Sequence, residues 1–189
     1  MKTTVWRYMG AVLLSACMVL TAAAQEKKME KTMGAMKASV QGSFLKQSAD
    51  MEKKFVDLAG AVPQEKYAWR PAEGVRSVAE SFLHVAVGNY ITMTVMGGKV
   101  PEGVNPRELE KSTTDKAKIV EAVKKSFMAL SDYVKSIPDN DLSREVDFFG
   151  NKITVLEMVM FASGHQHETL GQSIAYARSN GVKPPWSGM

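Results

Sequence analysis

Cysteine is nearly absent from this sequence: Cys17 is the only one among 189 residues. Cys17 lies in an N-terminal segment that we expect to be removed, so the mature chain is predicted to contain no cysteine. That absence excludes a disulfide framework and a catalytic thiol. The chain also lacks a glycine-rich phosphate loop and a Ser/His/Asp motif, so neither of these common sites is indicated.

Excess charge of one sign is small. The formal net charge is +4 at pH 7, and Lys2 and Arg7 supply half of it, because residues 1–24 contain no acidic residue. No later segment forms a basic stripe, so nucleic-acid binding is not predicted. With 45% hydrophobic and 23% charged residues, the composition of the chain is typical of one globular domain rather than of a disordered protein.

Apolar runs are short as well. The longest, residues 9–20, falls below the ~20 residues that a membrane-spanning helix needs. It follows Lys2 and Arg7 and precedes "TAAAQ" at 21–25, which is the pattern of a signal peptide cleaved after Ala24. We therefore predict no membrane span in the mature protein.

The leader defines the expected organisation of the chain. Residues 1–24 are predicted to be a signal peptide, residues 25–37 a solvated spacer, and residues 38–189 one folded domain. The protein is then exported, and periplasmic or secreted. The alternative is a lipoprotein signal, because "LSAC" at 14–17 would make Cys17 a lipidated anchor.

Four segments space their apolar residues as amphipathic helices do. They run from Val40 to Gly60, from Ser77 to about Met96, over 115–136, and from Thr154 to Asn180. Two of them open on capping boxes, "SVAE" at 77–80 and "TVLE" at 154–157. Alternation around Gly150-Asn151 predicts a short hairpin or turn before the last helix, and 99–114 is predicted to be a long loop. The fold expected is an all-α four-helix bundle.

Methionine, by contrast, is abundant, with 13 residues. Several stand at helix positions where they are predicted to fill the core: Met93, Met96, Met128, Met158 and Met160.

There are only three histidines, and two are predicted to point inward from different helices. The helix neighbours of His84 are small or apolar, and His165 continues a line that begins with Met158 and Phe161. Two such imidazoles could bind one metal ion. A lone inward histidine is more often a core residue hydrogen-bonded to a carbonyl, and spacing leaves both interpretations open.

The residues after His165 differ in direction. His167 lies ~200° further round the helix, so it is predicted to occupy a packing face or a surface edge rather than the same site. Glu168 and Thr169, three and four residues on, lie close to the face of His165. Glu168 could complete a set of two histidines and one carboxylate, or could equally be a solvated charge.

Two stretches carry a family resemblance: "WRPAEGVRSVAESFLHVAVGNY" at 69–90 and "HQHETLGQSIAYARSNGVKPPWS" at 165–187. Together they resemble the DinB family of DinB/YfiT-like proteins, which are unrelated in fold to the similarly named DNA polymerase. The resemblance covers essentially all of residues 38–187. It implies a four-helix bundle of up-down-down-up topology with a divalent metal, zinc or nickel, at one end.

The resemblance also implies chemistry and partners. Characterised relatives are transferases or isomerases that use low-molecular-weight thiols, and relatives of this fold often form homodimers. The family's metal histidines correspond to His84, His165 and the position of Thr169, so the third ligand is absent here.

Three functions therefore stay open. The chain is a metal-dependent protein with a degenerate site at His84, His165, Glu168 and Thr169, in the manner of a thiol-dependent transferase or a hydrolase. Alternatively, it is a non-catalytic bundle that has lost its metal and binds a small ligand, or one that has a structural role. The sequence leaves open whether it is an enzyme.

Overall fold

The computed structural model describes the backbone of residues 2–188 and the side chains of residues 25–32 and 40–188. This part of the chain is mostly helical. Its elements in order are α1 (Lys2–Ala61), α2 (Val78–Val95), α3 (Pro106–Leu109), α4 (Lys116–Ser136), β1 (Glu145–Phe148), β2 (Asn151–Thr154) and α5 (Val155–Ser179), with short 3-10 helices at Gln64–Lys66 and Asp139–Ser143.

The chain divides into two compact units, Met1–Ser39 and Val40–Met189. The predicted signal peptide and Cys17 lie outside the residues whose side chains are described. Residues 25–32 of the predicted spacer are helical and exposed. Among the described residues, no helix is both long enough and apolar enough to cross a membrane.

The predicted helix boundaries are set by local hydrogen bonds. Ser77 and Glu80 form a capping box at the start of α2, and Thr154 and Glu157 form a second at the start of α5. Asp115 caps α4 by accepting a hydrogen bond from the Lys118 backbone amide at 3.0 Å. Each cap gives orphan amides of the first turn a partner, which fixes where the helix begins.

The predicted hairpin is confirmed. Strands β1 and β2 pair antiparallel, with Glu145 opposite Thr154 and Phe148 opposite Asn151. The two loop residues are Phe149 and Gly150, so the turn is centred one residue earlier than the Gly150-Asn151 of the prediction. Both have positive φ, 52° and 80°, as two-residue loops of type I′ require.

Two apolar clusters form the core, and each takes residues from α1, α2, α4 and α5. The first lies around Phe55, Phe82, Phe127 and Ala177, and the rings of Phe55 and Phe127 are 5.8 Å apart between centroids. The second contains Phe44, Tyr90, Met93, Leu130, Val134, Val155, Met158 and Ala162. The core therefore lies wholly within the second unit.

A buried polar layer separates the two clusters. Gln166 on α5 donates hydrogen bonds to Asn89 on α2 at 3.0 Å and to Ser48 on α1 at 3.3 Å. Asn89 in turn donates to the Ser126 hydroxyl on α4 at 3.2 Å. All four side chains are at most 1% exposed. Since each polar group has a partner, the layer avoids the penalty of burying an unpaired one.

Two sequence predictions need correction. The loop predicted over 99–114 contains a single helical turn, α3, which Asn105 caps by accepting a hydrogen bond from the Arg107 amide. Met128 and Met160 do not fill the core, because they are 58% and 61% exposed. Helical spacing cannot separate a core stripe from its edge, where an unbranched apolar chain is tolerated.

Candidate metal centre

The imidazoles of His84 on α2 and His165 on α5 face each other. Their Nε2 atoms lie 3.3 Å apart, and their ring centroids are separated by 5.1 Å. The side chain of His84 is 26% exposed, and His165 is half-buried. The two histidines that the sequence placed on inward faces are thus brought to one point near the surface.

A glycine on α2 makes room for the second ring. A Cβ atom built on Gly88 would lie 2.1 Å from Cε1 and 2.5 Å from Nδ1 of His165. No real Cβ tolerates such a contact, so His165 occupies space that any other residue at position 88 would fill. The absence of a side chain at Gly88 therefore allows α5 to present its imidazole to His84.

The outer nitrogen of His84 is held by a carboxylate. Glu110, in the segment after α3, accepts a hydrogen bond from His84 Nδ1 at 2.8 Å, and its other oxygen accepts one from Arg76 Nε at 2.6 Å. Burial alone would raise the pKa of Glu110, but the hydrogen bonds and charges of Arg76 and His84 outweigh it and lower that pKa. Glu110 is therefore ionised, and its hydrogen bond from Nδ1 leaves Nε2 of His84 facing His165.

The surroundings of His165 favour its neutral form. Burial lowers its pKa below the ordinary histidine value, the nearby charge of His84 lowers it further, and Glu168 opposes both. On its other side the ring stacks with Phe161 at 6.2 Å between centroids. An uncharged imidazole can offer a lone pair to a cation, which an imidazolium cannot.

The other two predicted site residues, Glu168 and Thr169, and the neighbouring His167 differ in exposure. Glu168 is exposed, whereas Thr169 is buried at 4% exposure. His167 is exposed, and its Nδ1 is 2.8 Å from the Ser163 carbonyl oxygen; of the packing face and the surface edge predicted for it, the structure has the surface edge. None of the three is hydrogen-bonded to His84 or His165 in the described structure.

The residues present fit a divalent ion in part. Two nitrogen ligands placed ~2.0–2.1 Å from zinc at a tetrahedral angle lie about 3.3 Å apart, which is the distance between the two Nε2 atoms. The carboxylate behind His84 is the usual support of a metal-bound imidazole. Across the described side chains, however, no group of three or more His, Cys, Asp or Glu residues could hold an ion. The two imidazoles would supply two of the four ligands of a tetrahedral ion.

Two clefts border the centre. One, of about 760 Å³, lies beside α2 and the hairpin tip. The other, of about 510 Å³, is lined by Arg70, Arg76, Gln172 and Tyr176 among others. Glu110 and Lys111 line both clefts, whereas neither imidazole lines either of them. A molecule in either cleft would therefore reach Glu110 first.

Three residues of the centre were missed from the sequence: Arg76, Gly88 and Glu110. Arg76 and Gly88 stand inside the family motif, but the sequence attaches no role to them. Glu110 lies in a charged loop, 26 residues from the histidine it supports. No local pattern reports such a contact, since it depends on how the connection after α2 is folded.

Comparisons with known proteins agree with the fold. The family model described as the DinB superfamily matches residues 47–173. A DinB-like protein from Bacillus cereus is similar in structure, with a TM-score of 0.66 and 19% identity over 75% of this chain and 93% of that one. A DinB-like protein from Bacillus subtilis has a TM-score of 0.60 and 21% identity, again over 75% and 93%.

A third similar structure is a conserved protein from Enterococcus faecalis. It has a TM-score of 0.58 and 14% identity over 72% of this chain and 94% of that one. No protein of curated function matches the sequence significantly. At these sequence identities, the similarity to the solved structures shows only that the fold is shared.

Proposed function

Because the chain belongs to the DinB superfamily, we propose that it binds a divalent metal ion, zinc or nickel, between His84 and His165. One observation carries this proposal: the two Nε2 atoms face each other at 3.3 Å while Glu110 occupies the opposite nitrogen of His84. The protein would use the ion as a thiol-dependent transferase or a hydrolase acting on a small molecule.

Each residue has a separate task in this proposal. His84 and His165 hold the ion, Glu110 fixes the tautomer of His84, and Arg76 holds Glu110 in place. Thr169, Glu168 or an external ligand completes the shell, and a low-molecular-weight thiol is the external ligand that the family resemblance suggests. When bound, a divalent ion lowers the pKa of a thiol or water so that it becomes a nucleophile near neutral pH.

We also propose that the four long helices form a four-helix bundle of up-down-down-up order. The membership of the core clusters supports this arrangement. The first cluster combines the last turns of α1 and α5 with the first half of α2 and α4. The second combines an earlier part of α1, at Phe44, and the first turns of α5 with the second half of α2 and α4. In such a bundle α2 and α4 run in the same direction, so the connection carrying Glu110 must travel back along the molecule.

We also propose a domain organisation, a localisation and an assembly for the protein. Residues 1–24 would be a signal peptide, residues 25–37 a spacer and residues 38–189 the bundle domain, which would make the protein periplasmic or secreted. Lipidation at Cys17 is the alternative, and a homodimer is the proposed assembly. Mass spectrometry of the mature protein separates cleavage before Gln25 from a lipidated Cys17.

A second function is favoured by one specific observation. Thr169 stands where the family resemblance implies a third histidine, and it is buried, whereas the carboxylate of Glu168 is on the exposed side of α5. In this alternative the metal has been lost and the cleft beside Gln172 and Tyr176 holds a small ligand without turnover. The two functions make opposite predictions about metal affinity.

Metal titration tests the first proposal. Protein purified without a histidine tag should bind one equivalent of Zn²⁺ or Ni²⁺ by calorimetry. His84→Ala should abolish binding, and Glu110→Gln should weaken it by about 10- to 100-fold, since a supporting carboxylate contributes that much. His167→Ala is the matched control, because its imidazole is exposed and outside the centre, and it should leave the affinity unchanged.

Restoring the missing ligand separates the alternatives. Thr169→His should raise metal affinity by about tenfold or more if a preformed half-shell exists, because it adds a nitrogen on the same face of α5. A wild-type protein that binds no ion, and whose unfolding is unchanged by a chelator, would contradict metal binding and favour the small-ligand alternative.

A further inference from the structure

The larger cleft, of about 760 Å³, has an apolar wall with no role in the metal proposal. Val87, Ile91 and Val95 succeed one another at intervals of four residues along α2 and line it together. Ile91 is 41% exposed, although its neighbours in sequence are buried. Although Val95 also packs against the second core cluster, this stripe of α2 therefore borders the cleft. Its volume falls within the ~300–1,000 Å³ of small-molecule sites.

The lining of the cleft also carries positive charge. Arg107 and Lys111 line it, and neither forms an ion pair with any carboxylate in the part of the chain that the structure describes. The lining acid is Glu110, and Arg76 and His84 already bind its two oxygens. A ligand would thus meet both an apolar surface and two cationic side chains that form no ion pair in the described structure.

The hairpin places an aromatic ring over this cleft at a conformational cost. Phe149 has a φ of 52°, a region that bulky residues rarely adopt and that Asn or Gly normally occupies in such a turn. Its side chain is 85% exposed and lines the cleft, with ring contact to Phe148 at 4.6 Å between centroids. A strained residue whose ring stays in solvent contributes little to folding, which indicates a role in binding.

From these observations we propose that the cleft binds a small amphipathic carboxylate. Its apolar part would lie between the α2 stripe and Phe149, and its carboxylate would lie against Arg107 and Lys111. The charge of the cleft disfavours cations, and the apolar wall disfavours small hydrophilic anions. The site requires no metal, so it is independent of the function proposed for His84 and His165.

Octanoate is the probe. Two analogues of the same chain length serve as comparison: octanol, which is uncharged, and octylamine, which is positively charged. Binding is measured by calorimetry on the full chain in the presence of a chelator, so that the protein is free of metal in every titration. Octanoate should bind at one site, and both analogues should bind at least about tenfold more weakly, since they lose attraction to the cationic side. Equal affinity for the three compounds, or no binding of octanoate, would overturn the proposal.

Arg107→Glu tests the charged side, because Arg107 lines only this cleft of the two. It should weaken octanoate binding by about fivefold to tenfold. Arg178→Glu makes the same chemical change on an exposed position of α5 away from the cleft, and it should have no effect. An equal loss in both variants would show only the influence of net charge and would refute a site at Arg107.

Phe149→Asn gives a readout that a purely structural role cannot imitate. Asparagine suits the positive φ of the turn, so the variant should melt at a higher temperature than the wild type, while octanoate binds about fivefold more weakly because the covering ring is gone. A lower melting temperature with unchanged affinity would mean that Phe149 serves folding instead.

Nuclear magnetic resonance locates the ligand. Octanoate should shift backbone amide signals over 87–95 and 148–151. Shifts confined to the other cleft, around 70–80 and Gln172, would contradict the assignment. So would a dimer in sedimentation that Ile91→Asp dissociates, because the apolar stripe would then be covered by a second copy of the chain.

Discussion

At the scale of single residues, two imidazoles that face each other differ in their surroundings. Glu110 holds His84 from outside, whereas His165 lies against the Cα of Gly88 and under the ring of Phe161. The carboxylate accepts a hydrogen bond from His84 Nδ1, and burial disfavours a charge on His165. The pair is therefore asymmetric: His84 is oriented by a hydrogen bond, and His165 by packing.

This asymmetry predicts how stability depends on pH. An unfolded histidine titrates near pH ~6.5, and the pKa of His165 is lower in the folded protein because of burial and the charge of His84. The unfolded state then binds the proton more readily. The contribution of His165 is fully present above pH ~6.5 and is lost as the pH falls through the window between the unfolded and folded pKa values.

Urea unfolding of the metal-free protein over a pH series measures the effect. The free energy of unfolding of the wild type should fall relative to that of His165→Gln as the pH is lowered below ~6.5. His167→Gln is the control, since His167 is exposed, and it should follow the wild type. Glu110 acts in a separate window: its pKa is lowered, so its contribution is lost only as the pH falls below the ordinary carboxyl range. Parallel curves for wild type and His165→Gln would contradict the prediction.

At the scale of elements, the approach of α2 and α5 is fixed by neighbouring contacts in the same layer. Gly88 leaves space for His165, and the next residues, Asn89 and Gln166, are joined by a hydrogen bond of 3.0 Å. A close backbone approach and a buried polar contact thus stand side by side. Together they specify both the distance between the helices and their register, because a shift of one residue would leave buried amides without partners.

Gly88→Ala tests this approach. The added methyl group must displace the His165 ring, so the variant should lose metal affinity and about 1–3 kcal/mol of stability through overpacking. Gly171→Ala on α5 is the matched control: a Cβ there has no neighbour within 4 Å, and alanine should raise stability by up to ~1 kcal/mol. Calorimetric metal titration and urea unfolding measure both. A Gly88→Ala protein that resembles the Gly171→Ala control would show that the two helices do not depend on this contact.

Elements also show which features a sequence pattern can predict. The start of α2, α4 and α5 and the hairpin before α5 depend on residues within a few positions of one another, and the sequence predicted them closely. The one-residue error at the turn arose because Phe149 has a positive φ, which the sequence gives no reason to expect from a phenylalanine. Met128 and Met160 were misplaced because periodicity identifies a face and not its depth.

At the scale of the whole molecule, both core clusters and the polar layer lie within the unit Val40–Met189. A unit with its own core is expected to fold alone. A chain of residues 40–189 should therefore unfold cooperatively, with a free energy of unfolding within ~1 kcal/mol of that of the chain that begins at residue 25. Circular dichroism during urea unfolding measures both, and a broad, non-cooperative transition in the shorter chain would show that 25–39 belongs to the folding unit.

The helical segments, the two capping boxes, the hairpin and the inward faces of two histidines could be predicted from the sequence alone. These features arise from neighbours along the chain, since hydrogen-bond caps and helical faces repeat every few residues. The folded chain was needed to show that Glu110 binds His84, that Gly88 leaves space for His165, and that four side chains form one layer: Ser48, Asn89, Ser126 and Gln166. Those contacts join residues far apart in sequence, so their geometry follows from how the helices pack and from the path of the connection between them.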